Sequence, residues 1–397
     1  MEQKLTFRSD VEIPHFIKYM GSKKKIINHV VEAINEVHSG GPICDLFAGS
    51  SVLSGVLRNQ AYLISNDIQE YSAVLARAYL ANYDWDSHPN LIEQIVELAD
   101  KKANHFFKSF PNLQFNYNRN FNIGEFIQLE EKQRELIHCD FSNFDYHLFV
   151  KYYSGTYWSY EQCVWIDAIR SVADEYRDTA FYNAILASLM FAMSYNSQST
   201  GHYAQYRDAT SESSMADILI YRRKDILSFF IRKMEELRDV LNGNRFGYDV
   251  YSLDYLDCLE LVPENTVVYA DPPYVFVHYS RFYHALETLT KYDYPNVRYK
   301  GRYRTDRHQS PFCIRTQVEG AFRNMFEKIK QKRSNLVLSY SDTGMIELER
   351  LTDLARSTFG FNYELEVQTI DYLHSTMGRR DDKSRNVQEA IITVKYR

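Results

Sequence analysis

The tetrapeptide Asp271-Pro-Pro-Tyr274 is the segment of the sequence whose residue types point most clearly to chemistry. It directly follows a short apolar run, 266–270, that predicts a buried strand. Two consecutive prolines remove two backbone donors and fix φ, so the chain leaves the strand in a stiff extended turn. An acid and an aromatic ring are thereby held at the carboxyl end of a strand, where α/β sheets bind ligands. Asp-Pro-Pro is also ordinary turn chemistry, so this interpretation needs partners elsewhere in the chain.

A second candidate site follows the first predicted strand, 42–47, where Asp45 precedes the small-residue turn 48–51. Such a turn lets a ligand approach the backbone, as in nucleotide-binding βαβ units, although the pattern GxGxxG is absent. Because the carboxylate of Asp45 would repel a pyrophosphate, we expect a nucleoside that lacks phosphates and carries a cationic group. Asp67 ends the next predicted strand, where an acid commonly binds ribose hydroxyls.

The elements that must position these residues predict an α/β fold. The first part of the chain contains a parallel βαβ unit, with Ser22 as a candidate N-cap of its first helix. The predicted elements there are a helix over 23–37, a strand over 42–47, a helix over 52–58, a strand over 61–65 and a helix over 70–82. The α/β pattern returns late in the chain, with strands at 266–270, 335–339, 363–372 and 388–394 and a helix over 315–332.

The middle of the chain has a different pattern, which predicts an inserted, largely helical domain over 84–224. Its stretch 106–145 is polar and aromatic with weak periodicity, whereas 159–176 and 179–193 predict helices. An amphipathic helix over 225–242 follows. The remaining segments, 1–83 and 225–397, would form the α/β core.

The motifs resemble, in their order, those of the Dam-like adenine-N6-specific DNA methyltransferases. The matching segments are Phe16-Ile-Lys-Tyr-Met-Gly-Ser-Lys23, Asp45-Leu-Phe-Ala-Gly49, Asn66-Asp67, Asp254-Tyr255 and Asp271-Pro-Pro-Tyr274. The resemblance implies a Rossmann-like methyltransferase core with helices on both faces of a mostly parallel sheet, and an inserted target-recognition domain. It also implies S-adenosyl-L-methionine as cofactor, double-stranded DNA as partner and the modification part of a restriction-modification or defence system as function.

The resemblance assigns a role to each matching position. Tyr19 and Lys23 would lie near the amino-acid end of the cofactor, with Lys23 pairing with its carboxylate. Asp45 would face the methionine ammonium and Asp67 the ribose hydroxyls, while Asp254 and Tyr255 would contact the adenine ring. The remaining implied site residues are Phe47 and Gly49 for the cofactor and Asp271, Pro272, Pro273 and Tyr274 for catalysis.

Adenine N6 is a poor nucleophile because its lone pair is delocalised into the ring. If the Asp271 carboxylate and the Pro272 carbonyl each accept one N6–H, the amine is pushed toward tetrahedral geometry and its lone pair is directed at the methyl group. Tyr274 would offer a stacking face. Orientation and electrostatics would supply most of the rate acceleration, and the target base must be flipped out of the duplex.

A basic segment predicts where DNA would bind. Cations alternate there with Tyr299 and Tyr303, as in phosphate-binding loops with stacking groups. The expected phosphate contacts are Arg298, Lys300, Arg302, Arg304 and Arg307. Asn196 and His202, in a polar segment of the insert, are further candidates for reading base edges or phosphates, or else cap a helix and shape a loop. A net charge of −6 does not exclude such a local basic groove.

The rest of the sequence shows no sign of a metal site, a secretory signal or a membrane span, and it leaves some alternative functions open. The five scattered cysteines and the twelve histidines show no metal-ligand spacing, and no secretory signal or membrane span is apparent, so we expect a cytoplasmic protein without a metal. N4-cytosine methylation, RNA adenine methylation and a non-catalytic DNA-recognition subunit remain alternatives. Ser51, standing where the family's cofactor motif normally has Gly, motivates the last of these. A cognate restriction endonuclease or a defence-complex subunit is the expected protein partner.

Overall fold

The computed structural model describes residues 6–397 except 22, 199–200, 242, 274–275, 277, 342–343 and 375–384. Seven of the described strands form one sheet in the order β3-β2-β1-β4-β7-β9-β8, in which β9 alone runs opposite to the other six. Strands β5 and β6 form a separate antiparallel ribbon. The strands are β1 (Ile43–Asp45), β2 (Leu63–Asn66), β3 (Tyr248–Tyr251), β4 (Val267–Ala270), β5 (Val297–Arg298), β6 (Tyr303–Arg304), β7 (Asn335–Ser341), β8 (Tyr363–His374) and β9 (Arg385–Tyr396). The predicted mostly parallel α/β sheet is confirmed.

Helices cover both faces of the sheet. They are α1 (Ile27–Val37), α2 (Val52–Leu57), α3 (Glu70–Leu80), α4 (Leu91–Ser109), α5 (Ile123–Arg134), α6 (Leu148–Tyr153), α7 (Tyr160–Glu175), α8 (Phe181–Asn196), α9 (Glu212–Arg222), α10 (Ile226–Val240), α11 (Tyr255–Leu261), α12 (Tyr279–Phe282), α13 (His284–Lys291), α14 (Val318–Gln331) and α15 (Leu348–Phe359). Short 3₁₀ turns occur at Lys23–Lys25, Glu135–His138 and Pro311–Cys313. No helix within the described ranges is long and apolar enough to cross a membrane.

The central strands are apolar because both of their faces are covered. Every residue of β1, β2, β4 and β7 is buried, as expected for parallel strands between two helical layers. Strand β3 lies at the sheet edge and all four of its residues are half-buried, so it lacked the apolar run from which the other strands were predicted. The sequence analysis missed it for that reason.

The inserted segment shares its core with one face of the sheet. A single hydrophobic cluster joins Leu75 of α3 to Ile169 of α7 and Met190 of α8. On the opposite face, α11, α14 and α15 pack in a second cluster around residues such as Phe322 and Leu354. Helices α7 and α8 of the insert therefore share a core with α3, which belongs to the helical layer on this face of the sheet.

Two local predictions differ from the structure. The predicted helix 23–37 begins as the 3₁₀ turn Lys23–Lys25 before α1, and its candidate cap Ser22 lies outside the described residues. The weakly periodic stretch 106–145 contains α5. That helix has few buried residues and begins with a capping box in which Asn122 and Glu125 exchange hydrogen bonds. This cap was readable in the sequence even though the periodicity was not.

Candidate active site

A cavity opens at the carboxyl ends of β1, β2 and β4, and it encloses about 1160 Å³ with open solvent included. The chain places β2 on one side of β1 and β4 on the other, all parallel, so their ends meet where the strand order reverses. Loops diverge at such a point and leave a crevice. The lining includes Tyr19, Lys23, Asp45, Phe47, Gly49, Asp67, Asp254, Tyr255, Asp271, Pro272 and Pro273, all of which the sequence predicted to share one site.

The turn after β1 is shaped by left-handed backbone and held by Asp67. Gly49 has φ of 52°, and a Cβ there would lie 2.7 Å from the Tyr19 hydroxyl oxygen, so only glycine fits. The Gly49 N–H donates to Asp67 Oδ2 at 2.9 Å, and the Gln69 N–H donates to Asp67 Oδ1 at 2.9 Å. Burial raises the pKa of Asp67 to about 6. The acid expected to bind ribose therefore also fixes the turn.

The side chain of Ser51 points away from the cavity. Ser51 is fully buried, and its Oγ donates to the Ser72 carbonyl of α3 at 3.0 Å. It adopts φ of 56° without lining the cavity. The Ser51 hydroxyl therefore lies outside the cavity lining.

Asp45 presents an unsatisfied carboxylate oxygen to the site. The residue is 5% exposed, and within the described residues its buried Oδ1 has no hydrogen-bond partner. Burial raises the pKa of Asp45 well above its usual value, and the nearby carboxylates of Asp271 and Asp67 raise it further. A buried acceptor without a donor is costly, and a cationic donor from a ligand would remove that cost.

Asp271 forms an ion-pair chain with Lys23 and Glu389. Lys23 Nζ lies 3.2 Å from Asp271 Oδ1 and 3.1 Å from Glu389 Oε2. Burial raises the pKa of Asp271 to about 6, with the Lys23 charge opposing this and the Glu389 charge adding to it. The expected partner of Lys23 was a cofactor carboxylate, whereas the structure pairs it with these two acids. Glu389 was not predicted, because it lies on β9, far along the chain from any motif.

Three aromatic rings form one wall of the cavity. The Phe47 and Tyr255 ring centres lie 6.0 Å apart with their planes inclined by 29°, and Phe312 meets Phe47 at 5.4 Å and Tyr255 at 5.1 Å, edge to face. Asp254, beside them, accepts from the Leu256 N–H at 3.0 Å and caps α11. Phe312 was missed by sequence analysis because nothing in its local pattern marks the Pro311–Cys313 turn as part of a site.

Tyr19 and Met20 join the N-terminal motif to α12 and to Tyr283, the residue that follows it. Its ring stacks on Tyr283 at 4.7 Å and on Tyr279 at 5.6 Å, and the Met20 N–H donates to the Tyr283 hydroxyl at 2.7 Å. The sequence indicated neither partner.

Of the predicted catalytic residues, Asp271, Pro272 and Pro273 line the cavity, and Tyr274 lies outside the described residues.

Two of the arginines that were predicted to contact phosphate form hydrogen bonds or ion pairs within the chain. Arg304 is 3% exposed and pairs with Asp293 at 2.5 Å and Asp306 at 2.8 Å. Arg302 donates to the backbone carbonyls of Tyr152 and Arg134 at 2.5 and 2.9 Å. Their donors hold the β5–β6 ribbon in place and are therefore already used within the chain, so the prediction that they contact phosphate stays a prediction.

The other predicted DNA contacts also have different environments. Asn196 is fully buried and donates to the Ala192 carbonyl at 2.7 Å at the end of α8, an arrangement that fits the helix-end alternative. His202 packs edge-on against Phe282. Lys300 forms an ion pair with Asp208, and Arg298 is exposed on β5. Arg307 is half-buried beside the cavity.

The family comparison rests on residues 19–353, which match the model of the D12 class N6 adenine-specific DNA methyltransferases. Modification methylase LlaI of Lactococcus lactis subsp. lactis is 24% identical over 96% of this chain and 55% of its own length. Type II methyltransferase M.FokI of Planomicrobium okeanokoites is 24% identical over 94% of this chain and 51% of its own. The chain thus spans about half the length of these two relatives. It is 22% identical to type II methyltransferase M.NlaIII of Neisseria lactamica over 89% of this chain and 91% of that protein. The family match confirms the resemblance that the motifs carried, and the chain belongs to the D12 class N6 adenine-specific DNA methyltransferase family.

Proposed function

We propose that the chain transfers a methyl group from S-adenosyl-L-methionine to the N6 amine of an adenine flipped out of double-stranded DNA. One observation carries this proposal: Asp271 and Pro272 line the same cavity as the buried, unpaired carboxylate oxygen of Asp45. The cavity therefore offers acceptors both for an amine substrate and for a cationic nucleoside.

The residues present fit this cofactor. Asp45 Oδ1 would accept from the methionine ammonium, which supplies the donor that this oxygen lacks. Asp67 retains acceptor capacity for ribose hydroxyls, and the wall of Phe47, Tyr255 and Phe312 suits an adenine ring. When bound, S-adenosyl-L-methionine supplies a methyl group on a positively charged sulfur.

The chain's own contribution is to hold the amine. The Asp271 carboxylate and the Pro272 carbonyl would each accept one N6–H and direct the nitrogen lone pair at the methyl group. Lys23, 3.2 Å from Asp271 Oδ1, keeps that carboxylate ionised and in place. Asp271 must be ionised to accept from both the amine and Lys23, so activity requires pH above the raised pKa of Asp271, about 6.

The segment 84–224 is proposed as the target-recognition domain, since the α/β core already accounts for the cofactor cavity. The named relatives are modification methylases, which supports a role in a restriction-modification or defence system with a cognate endonuclease or defence subunit as partner. The five cysteines are free thiols, which suits the cytoplasm where such a DNA substrate lies.

The test is transfer of a labelled methyl group to duplex DNA that lacks modified bases, with RNA of the same sequence assayed in parallel. Digestion to nucleosides should place the label in N6-methyladenine from the duplex. Label in N4-methylcytosine or in RNA would replace the proposal by one of the alternatives. No label, together with no cofactor binding at high micromolar concentration, would favour a non-catalytic recognition subunit.

A further inference from the structure

Two arginines beside the cavity, unlike Arg304, have no acidic partner among the described residues. Arg281 lies on α12 and Arg307 follows β6, and their guanidinium carbons lie 5.4 and 5.6 Å from the centre of the Tyr303 ring. Within the described residues neither forms an ion pair. Arg281 Nε and Arg307 Nη1 are buried and have no hydrogen-bond partner there.

Two acids close to this segment are already used, because Arg304 pairs with both Asp293 and Asp306. The charges of Arg307 and Arg281 also lower the pKa values of His278 and His202 respectively, after the larger effect of burial. Both guanidinium groups thus place positive charge beside the cavity with no acidic partner among the described residues, and an anion at this place would be attracted by both.

The pair adjoins the wall of the cavity. Ser280 and His308, the chain neighbours of Arg281 and Arg307, both line the cavity, and Ser280 Oγ donates to the His308 carbonyl at 2.5 Å. This bond ties α12 to the segment after β6. The two arginines therefore have a fixed relation to each other and to the cavity that also contains Asp271.

We propose that Arg281 and Arg307 form a binding site for one phosphodiester group of the DNA strand, next to the nucleotide that enters the cavity. The guanidinium is planar and offers parallel donors that match two phosphate oxygens, and both arginines retain a donor for this purpose. A flipped nucleotide carries its own backbone phosphates to the mouth of the pocket, so an anion site there would hold the strand in its distorted form. This inference rests on the proposed function.

The experiment measures the equilibrium binding of the full chain to a duplex that contains the sequence it methylates, between about 50 and 200 mM salt. Arg281→Gln and Arg307→Gln should each reduce the slope of log Kd against log salt by about one, and each should raise Kd by about tenfold. Arg307→Lys should keep the slope, because the charge is retained. Arg356→Gln on α15, which does not line the cavity, serves as the charge-matched control and should leave both quantities unchanged.

The outcomes separate this site from the proposed function. Each variant is first compared with the parent by thermal unfolding and by cofactor binding, both of which should be unchanged. An unchanged salt slope in both Gln variants, or a loss of cofactor affinity in them, would overturn the phosphate site. If the parent chain itself transfers no methyl group to DNA adenine, the proposed function fails, whatever the slopes.

Discussion

The charge on Asp271 is predicted to cost stability, so Asp271→Asn should stabilise the fold at neutral pH. The carboxyl group shares its cavity with Asp45 and Asp67, and burial raises the pKa of Asp271 from 3.8 to about 6. Lys23 remains paired with Glu389 in the variant. Asn has nearly the shape of the protonated acid and carries no charge, so it avoids the cost of ionising this position.

The magnitude follows from the shift in the pKa of Asp271. Between about pH 4 and 6 the folded chain keeps a proton that the unfolded chain has released, so stability falls as pH rises through this window. A shift of about two pH units corresponds to about 3 kcal/mol in the free energy of unfolding once pH exceeds both pKa values. Since the Asp271 side chain is 18% exposed, we expect a gain of about 2 to 3 kcal/mol.

The assay is urea unfolding of the cofactor-free chain at about pH 7.5 and about pH 5. The gain from Asp271→Asn should be about half as large at the lower pH, where the folded carboxyl is mostly protonated. Asp86→Asn, at an exposed position, is the matched control and should change the free energy of unfolding by no more than about 0.5 kcal/mol. A variant that is less stable than the parent at pH 7.5, or a gain that does not depend on pH, would refute the reasoning.

Three further predictions concern other contacts of the site. The value of kcat/KM should fall about tenfold per pH unit below about pH 6. Glu389→Gln should move this acidic fall-off to lower pH, because the Glu389 charge raises the pKa of Asp271. An acidic fall-off that does not move in the variant would contradict the ion-pair chain. Ser51→Gly should change the cofactor Kd by less than about threefold in calorimetric titration, because the Ser51 hydroxyl bonds to Ser72 outside the cavity. A large gain in cofactor affinity would show that the Ser51 side chain obstructs the site. Arg304→Gln should lower the free energy of unfolding by about 1 kcal/mol, because the carboxylates it leaves unpaired, Asp293 and Asp306, are 44% and 59% exposed and stay solvated. It should leave the salt slope of DNA binding unchanged, since its donors are used internally; a reduced slope would return this residue to the DNA interface.

The sequence predicted the parts of the fold that are locally encoded. The buried strands β1 and β4 and the helices α7 and α8 were recognisable from apolar runs or helical periodicity. Strand β3 was not, because a half-buried edge strand lacks such a run. Motif order placed Asp45 and Asp271 in one site, because Asp45 ends β1 and Asp271 follows β4, and these two strands lie side by side in the sheet.

The rest of the site depends on contacts between distant segments. Glu389 reaches Lys23 across 366 positions of chain, and no local pattern announces such a pair. The basic segment illustrates the reverse case. Its composition predicted phosphate contacts at both Arg304 and Arg307, but only the folded structure shows that Asp293 occupies the first and that the second has no acidic partner among the described residues.

The most direct test of the central claim is the single-turnover rate of methyl transfer by Asp271→Ala, preincubated with cofactor and duplex DNA. The account predicts that the rate falls by at least about a hundredfold, because one of the two acceptors that orient the amine is lost. The cofactor Kd should stay within about threefold of the parent value, since Asp45, Asp67 and the aromatic wall are retained. A rate within a few-fold of the parent, with the cofactor bound, would contradict the claim that this carboxylate holds the amine.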